Sequence, residues 1–258
     1  MAVSWRGAYG TIEDGTSLRG VHALPGRPTA GHVLGIITVD LDYPKLPGNV
    51  ANASTFPFPV LYENLSFEIE QLFAGDESLR QLVIDAALKL EASGVRAIIG
   101  ACGYFAHFQK DVAAAVHIPV FLSSLCQLPL IRTWLPQDKR ILVLCADGAS
   151  VDDALLSNVD ATTEGLIVQD VGHLESFAPI RWSHTELDSG LLERDLCELA
   201  CAVCHEHESI EAVLLECSDL PPYAAAIQRA CGLPVYDFLT LAHWVADSVL
   251  RTDVFGYF

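Results

Sequence analysis

Basic residues are scarce in this chain. Fifteen Lys and Arg stand against 33 Asp and Glu, a formal net charge of −18 over 258 residues. So acidic a surface repels phosphate backbones and anionic headgroups, so neither nucleic acid nor an anionic membrane is an expected partner. Long apolar runs are also missing: no stretch approaches the ~20 residues that span a bilayer. Residues 1–29 lack a basic segment followed by an apolar one, so no secretory leader is read there. The eight cysteines are therefore expected as free thiols in a reducing, cytoplasmic compartment, where they are buried, metal-bound or catalytic. An anionic substrate would need local positive potential, most simply from helix N-termini.

Core material is plentiful. Hydrophobic residues make up 51% of the chain, enough for one large domain or two small ones. Residues 33–39 form a continuous apolar run, the mark of a strand buried on both faces. The run ends in Asp40-Leu41-Asp42-Tyr43-Pro44 and then Pro47-Gly48-Asn49, a loop at the carboxyl end of that strand. Ligands of open α/β sheets bind outside such ends, so Asp40 is a candidate site residue; turn and cap chemistry is the alternative. Residues 1–30, rich in Gly, Arg, Pro and Ser, read as an irregular arm.

The rest of the chain alternates. Residues 56–73 predict a short strand or loop and then a helix. Leu79, Leu82, Val83, Ala86, Leu88 and Leu90 recur at helical spacing and Gly94 stops the run, which predicts a helix over 78–93. A buried strand follows over 95–100, a helix over 108–116 and a strand over 118–122. The series then restarts with strands over 140–145, 165–171, 210–215 and 233–237. Helices are expected over 151–157, 190–207, 221–230 and 239–250, and residues 172–189 read as a loop. Two copies of a βαβ series predict an α/β fold, with a parallel sheet in each half and pseudo-twofold symmetry. The expected division is residues 1–130 with 235–258 against residues 131–234, the last helix returning to cover a bare face of the first sheet.

Each half delivers a cysteine where a strand ends: Cys102 in Gly100-Ala101-Cys102-Gly103-Tyr104 and Cys217 in Glu216-Cys217-Ser218-Asp219. Pro119 follows the first by 17 positions and Pro234 follows the second by the same 17. Core packing does not require equal offsets, so the match argues for a functional pair rather than two unrelated buried thiols. A strand-to-helix turn can lower a thiol below its usual pKa of about 8.5. Two such groups across one bound carbon make a two-base device: one thiolate removes a proton and the opposite thiol returns one. The residues after each cysteine, Gly103-Tyr104 and Ser218-Asp219, are counted with the site, because their amides could hold a carboxylate and an enediolate-like transition state. Ser123 and Ser124 close a strand on the same edge and are candidate hydroxyl donors, with turn capping left open.

A second cysteine group competes for attention. Cys197, Cys201 and Cys204-His205 formally match half of a zinc site or a haem attachment motif. They fall at helical spacing on one face of a helical pattern, and a zinc site needs four ligands, so no metal and no cofactor is expected.

These residues resemble the aspartate/glutamate/hydantoin racemase superfamily, from Val33 to the C-terminus. The resemblance rests on the strand ending at Asp40, on Gly100-Ala101-Cys102, on Glu216-Cys217 and on the two-half layout. It implies two Rossmann-like domains with a cleft between them, one acid/base cysteine from each, and dimers. Glutamate racemases carry Asn-Thr and Thr-His after the two cysteines, where this chain has Gly103-Tyr104 and Ser218-Asp219. The Asp40-Leu41-Asp42-Tyr43-Pro44 loop, the 119–129 segment and Glu216-Cys217-Ser218-Asp219-Leu220-Pro221-Pro222-Tyr223 are similar to the algal dimethylsulfoniopropionate lyase subgroup. There Tyr104-Phe105 and Tyr43 could face a sulfonium by cation–π contact, with a role as plain pocket walls equally open.

The leading expectation is a cofactor-independent racemase or epimerase of a small amino acid or related carboxylate. The lyase, which begins with the same proton abstraction, is the alternative. A silent metabolite-binding module is the reading from another class.

Overall fold

The structure is a computed structural model, in which residues 26–27, 29–251 and 256 are described. Most of the arm expected over residues 1–30 lies outside the described residues.

The first half runs β1 (Leu34–Val39), β2 (Val60–Leu65), α1 (Ile69–Phe73), α2 (Arg80–Ser93), β3 (Ala97–Gly100), α3 (Gln109–Ala115) and β4 (Val120–Phe121). The short helix α4 (Leu128–Arg132) leads into the second half. There follow β5 (Arg140–Cys145), α5 (Asp153–Ser157), β6 (Leu166–Asp170), α6 (Ala178–Arg181), α7 (Ser189–Glu206), β7 (Ile210–Leu215), α8 (Ala224–Cys231), β8 (Val235–Tyr236) and α9 (Phe238–Val249). Each half builds one four-stranded, all-parallel sheet, ordered β2-β1-β3-β4 in the first and β6-β5-β7-β8 in the second. The identical strand order is the internal repeat that the sequence pattern implied. Among the described residues, no helix is long and apolar enough to cross a membrane.

The apolar runs become the strands buried on both faces. Every residue of β1 and β3 is buried, as parallel sheets covered by helices require. One core cluster joins the halves: Ile37 and Ile98 of the first sheet share it with Ile141, Val143 and Leu214 of the second. Helix α2 stops at Gly94, whose φ of 88° is left-handed and suits glycine.

Helix α9 covers the outer face of the first sheet. Phe238, Leu241, Ala242, Val245, Ala246 and Val249 pack there against Leu34, Ile36, Ala97 and Ile99. Each large side chain removed from water contributes roughly 1.5–3 kcal/mol. The entry to α9 is fixed by a capping box: Asp237 accepts from the Thr240 amide at 2.8 Å and the Thr240 hydroxyl accepts from the Asp237 amide at 2.9 Å. The second sheet extends through β8, which pairs with β7 and carries that half two residues past 234. The 172–189 stretch, read as a loop, contains the single turn Glu175–Phe177 and helix α6.

Candidate active site

The carboxyl ends of β1, β3, β5 and β7 converge on one cleft between the halves. From the β1 end come Thr38, Val39, Leu41, Tyr43 and Lys45; from the β3 end come Ala101, Cys102 and Tyr104. The second half contributes Ala146, Arg181 and the run Glu216-Cys217-Ser218-Asp219, with Phe73, Phe177 and Ile180 as apolar walls. Its empty space is about 570 Å³ with the open solvent at its mouth included.

The two thiols face this cleft from opposite halves, and their local geometry matches. Cys102 follows β3 and caps the two-turn 3-10 segment Gly103–Phe108; Cys217 follows β7. Each sulfur lies against the backbone amide two residues on, Tyr104 for Cys102 and Asp219 for Cys217. Sequence reasoning expected such turns to lower the thiols. In the structure burial is the larger effect, and it raises both thiols well above their ordinary value. Glu216 and Asp219 add to the rise at both, while the amides, and Arg181 at Cys102, oppose it. Both thiols are therefore held protonated at neutral pH.

Their surroundings differ. Cys217 is 7% exposed and its Sγ donates to Asp219 Oδ2 at 3.4 Å. The other oxygen, Oδ1, accepts from the Tyr43 hydroxyl at 2.5 Å and from the Asn49 amide. Burial raises the Asp219 carboxyl even so, against its three donors and Lys45. Cys102 is half-buried and has no such carboxylate bond among the described contacts.

Two cations border the cleft. Lys45 donates to the Leu41 carbonyl at 2.5 Å and lies 4.0 Å from the Tyr43 ring centre. Burial lowers its pKa, against the fields of Asp219, Asp42 and Asp40. Arg181, at the end of α6, lies 4.5 Å over Phe73 and 5.0 Å over Trp182. Its Nη2 pairs with Glu70 at 3.2 Å, while its Nη1 is buried with no hydrogen-bond partner.

Of the residues singled out from sequence, the cleft gathers Cys102, Cys217, Tyr43, Tyr104, Ser218 and Asp219. Several of these side chains already have partners. The Ser218 hydroxyl donates to the Ala101 carbonyl at 2.7 Å, which ties the two cysteine loops together. The Tyr104 hydroxyl donates to the Asp147 carbonyl at 2.7 Å and accepts from the Asp147 amide at 2.8 Å, a double link between halves. Tyr104→Phe removes both bonds and leaves the Asp147 amide unpaired, while the Asp147 carbonyl keeps the Ser150 amide at 3.3 Å. The expected cost is about 1–3 kcal/mol, read as a lower urea midpoint.

The other four lie off the cleft lining. Asp40 is exposed. Ser123 caps its own turn by accepting from the Leu125 amide at 3.1 Å, and Ser124 donates to the Leu215 carbonyl at 2.9 Å; both are fully buried. These hydroxyls hold backbone rather than face the cleft. Gly103 packs directly on Glu216. Sequence reasoning passed over Thr38, Lys45, Asn49, Arg181 and Glu216. For Lys45 and Asn49 the signal was the same loop that carries Tyr43; Arg181 lay in a stretch without periodicity.

The other cysteine group lies away from the cleft. Cys201 and Cys204 of α7 interact with Cys231 of α8, and all eight cysteines are free. Among the described residues, no group of three or more His, Cys, Asp or Glu is arranged to hold a metal ion.

A family model described as Asp/Glu/Hydantoin racemase matches residues 62–246, which takes in both cysteine loops. The chain belongs to the Asp/Glu/hydantoin racemase family. Within it, dimethylsulfoniopropionate lyase 6 of Emiliania huxleyi is 33% identical over 238 residues, covering 86% of this chain and 61% of that protein. A dimethylsulfoniopropionate lyase of Durusdinium sp. clade D is 31% identical, covering 90% of this chain and 80% of that one. This chain thus spans about three-fifths of the first E. huxleyi relative. Unliganded arylmalonate decarboxylase shares the fold, with a TM-score of 0.52 at 15% identity over 84% of this chain and 92% of that one. So does an allantoin racemase from Pseudomonas fluorescens, with a TM-score of 0.54 at 16% identity over 83% and 90%.

Proposed function

We propose that the chain is a cofactor-independent lyase of the dimethylsulfoniopropionate type. It acts on a small carboxylate whose β carbon carries a sulfonium. The observation that carries this reading is the cleft: two thiols under acidic neighbours, with a free guanidinium N–H beside them. The likeness to the named lyases supports the choice of substrate.

Arg181 Nη1 takes the substrate carboxylate, which also draws charge off the forming enediolate-like state. The sulfonium enters an acidic, aromatic-walled space and opposes the fields that keep the thiols protonated. A thiol gives up its proton to solvent only with this cation present. The thiolate then removes the proton on the carbon next to the carboxylate. The C–H electron pair becomes the C=C bond, and the C–S bond breaks with its pair left on sulfur. Dimethyl sulfide and acrylate depart and leave the resting thiol; the one proton the elimination releases is the one already given to solvent.

A second reading has its own support. The matched amide contacts of the two sulfurs suit an α-carbon inversion, in which one thiolate removes a proton and the other thiol returns one. Incubation with dimethylsulfoniopropionate in D₂O, beside a panel of single-enantiomer amino acids, separates the two. The lyase reading expects dimethyl sulfide and acrylate in equal amounts. Deuterium at the α carbon of an amino acid with loss of optical rotation, and no dimethyl sulfide, would establish the racemase instead.

A further inference from the structure

Glu216 is a buried acid with little to hold. It is fully buried, follows β7 immediately before Cys217 and lines the cleft. Neither carboxylate oxygen makes a well-formed hydrogen bond among the described residues, although the Ala146 amide lies near enough to favour the anion. The cations of the cleft do not serve it: Lys45 is bonded to the Leu41 carbonyl and Arg181 is paired with Glu70. A carboxyl in this state costs stability, so fold maintenance does not explain it.

The other half makes room for it. Gly103 follows Cys102, and a Cβ at Gly103 would lie 1.9 Å from Glu216 Oε1 and 2.6 Å from the Glu216 carbonyl oxygen. No other residue fits there unless Glu216 moves. The acid beside one cysteine is thus seated by the missing side chain beside the other.

We infer that Glu216 reads the cationic end of a zwitterionic substrate, the onium centre being the partner its two free oxygens lack. This rests on the reading above that the cleft takes a small carboxylate with a cationic group. Burial, with Asp147 and Asp219 adding and the Ala146 amide opposing, raises the Glu216 carboxyl to about 8. The other titratable groups against it are Cys102, Cys145, Cys217 and Tyr104, each of which it raises in turn. The carboxyl is mostly neutral at pH 7 in the empty cleft. A docked cation favours the anion, so binding of the zwitterion releases a proton; an uncharged isostere does not.

The probes are dimethylsulfoniopropionate and 4-methylpentanoate, which replaces the sulfonium by a CH group of the same shape. Calorimetry in buffers of different ionisation enthalpy counts the protons, in a Cys217→Ala background whose turnover is slow enough to leave the titration undisturbed. With Glu216 present, the sulfonium is expected to bind about 10–100-fold tighter than the isostere and to release up to about one proton at pH 7. Glu216→Gln keeps the shape and is expected to bring the ratio near one and to abolish the proton release, while 4-methylpentanoate still binds. That retained binding shows an intact cleft. If Glu216→Gln keeps the original ratio and proton count, the inference is overturned while turnover of the sulfonium by the unmodified protein upholds the lyase. If the unmodified protein neither binds nor cleaves dimethylsulfoniopropionate, the lyase reading falls and this inference with it.

Discussion

Cys217→Ala and Cys102→Ala are each expected to reduce turnover by about 10²–10⁴-fold, the usual worth of a positioned acid or base. The sizes need not be equal. An elimination uses one base, and Cys217 is the better placed, because its Sγ already donates to Asp219 Oδ2. With the cation bound, the thiol proton can leave along that bond and through Asp219 to solvent. Loss of Cys217 should therefore stop both α-hydrogen exchange and dimethyl sulfide release. Loss of Cys102 should spare measurable exchange. An inversion makes the opposite pattern: each single variant loses racemisation completely, yet each retains exchange with the one enantiomer its surviving thiol faces. Nuclear magnetic resonance of the α position in D₂O reads both patterns from the same two variants.

The same environment sets the pH dependence. Burial, Glu216 and Asp219 raise both thiols well above the ordinary thiol value of about 8.5. The reactive form is the thiolate, so kcat/KM should climb with pH through 7–9 without levelling near 8.5. A bound sulfonium offsets the acidic field and stabilises the thiolate. The rising limb of kcat, which reports the occupied enzyme, should then sit at lower pH than that of kcat/KM. Coincident limbs would mean that substrate binding leaves the thiols unaffected, which contradicts a cationic substrate.

What could be read in the sequence follows from what leaves a local pattern. The all-apolar runs around Ile36 and Ile99 are strands because parallel sheets are buried on both faces. The paired cysteines were visible because the repeat places both at strand ends, 17 positions before a proline. Helix α6 left no pattern: four residues are too few for a periodic stripe, so Arg181 was invisible as a site residue. Ser123 and Ser124 looked available because they close a strand, but Ser124 turns toward β7, which is 91 positions away. The direction of the thiol shifts was also illegible. A turn that favours thiolate is a local feature, whereas the opposing burial comes from the second half closing over the first. Glu216 stood out in the sequence only as the neighbour of Cys217, and its burial against Gly103 shows it enclosed.

Arg181→Met should raise KM and lower kcat/KM by about 10–100-fold, the worth of a charged hydrogen bond of about 1.5–3 kcal/mol. Methionine keeps an unbranched chain that can still lie over Phe73 and Trp182, so the apolar wall survives. The Glu70 side chain that loses its ion pair is 55% exposed, and water replaces that partner at little cost. The change therefore isolates the unpaired Nη1 of a residue that lines the cleft. Arg181→Lys should recover part of the loss, because an ammonium supplies charge without the planar fork that meets a carboxylate. A kcat that falls while KM stays unchanged would mean that Arg181 acts mainly on charge developing in the transition state rather than on the resting carboxylate. Unchanged values of both would move the carboxylate to the amides of Tyr104 and Asp219. In that case the two cysteine loops alone would bind and activate the substrate, and Arg181 would serve only to pin α6 against Phe73.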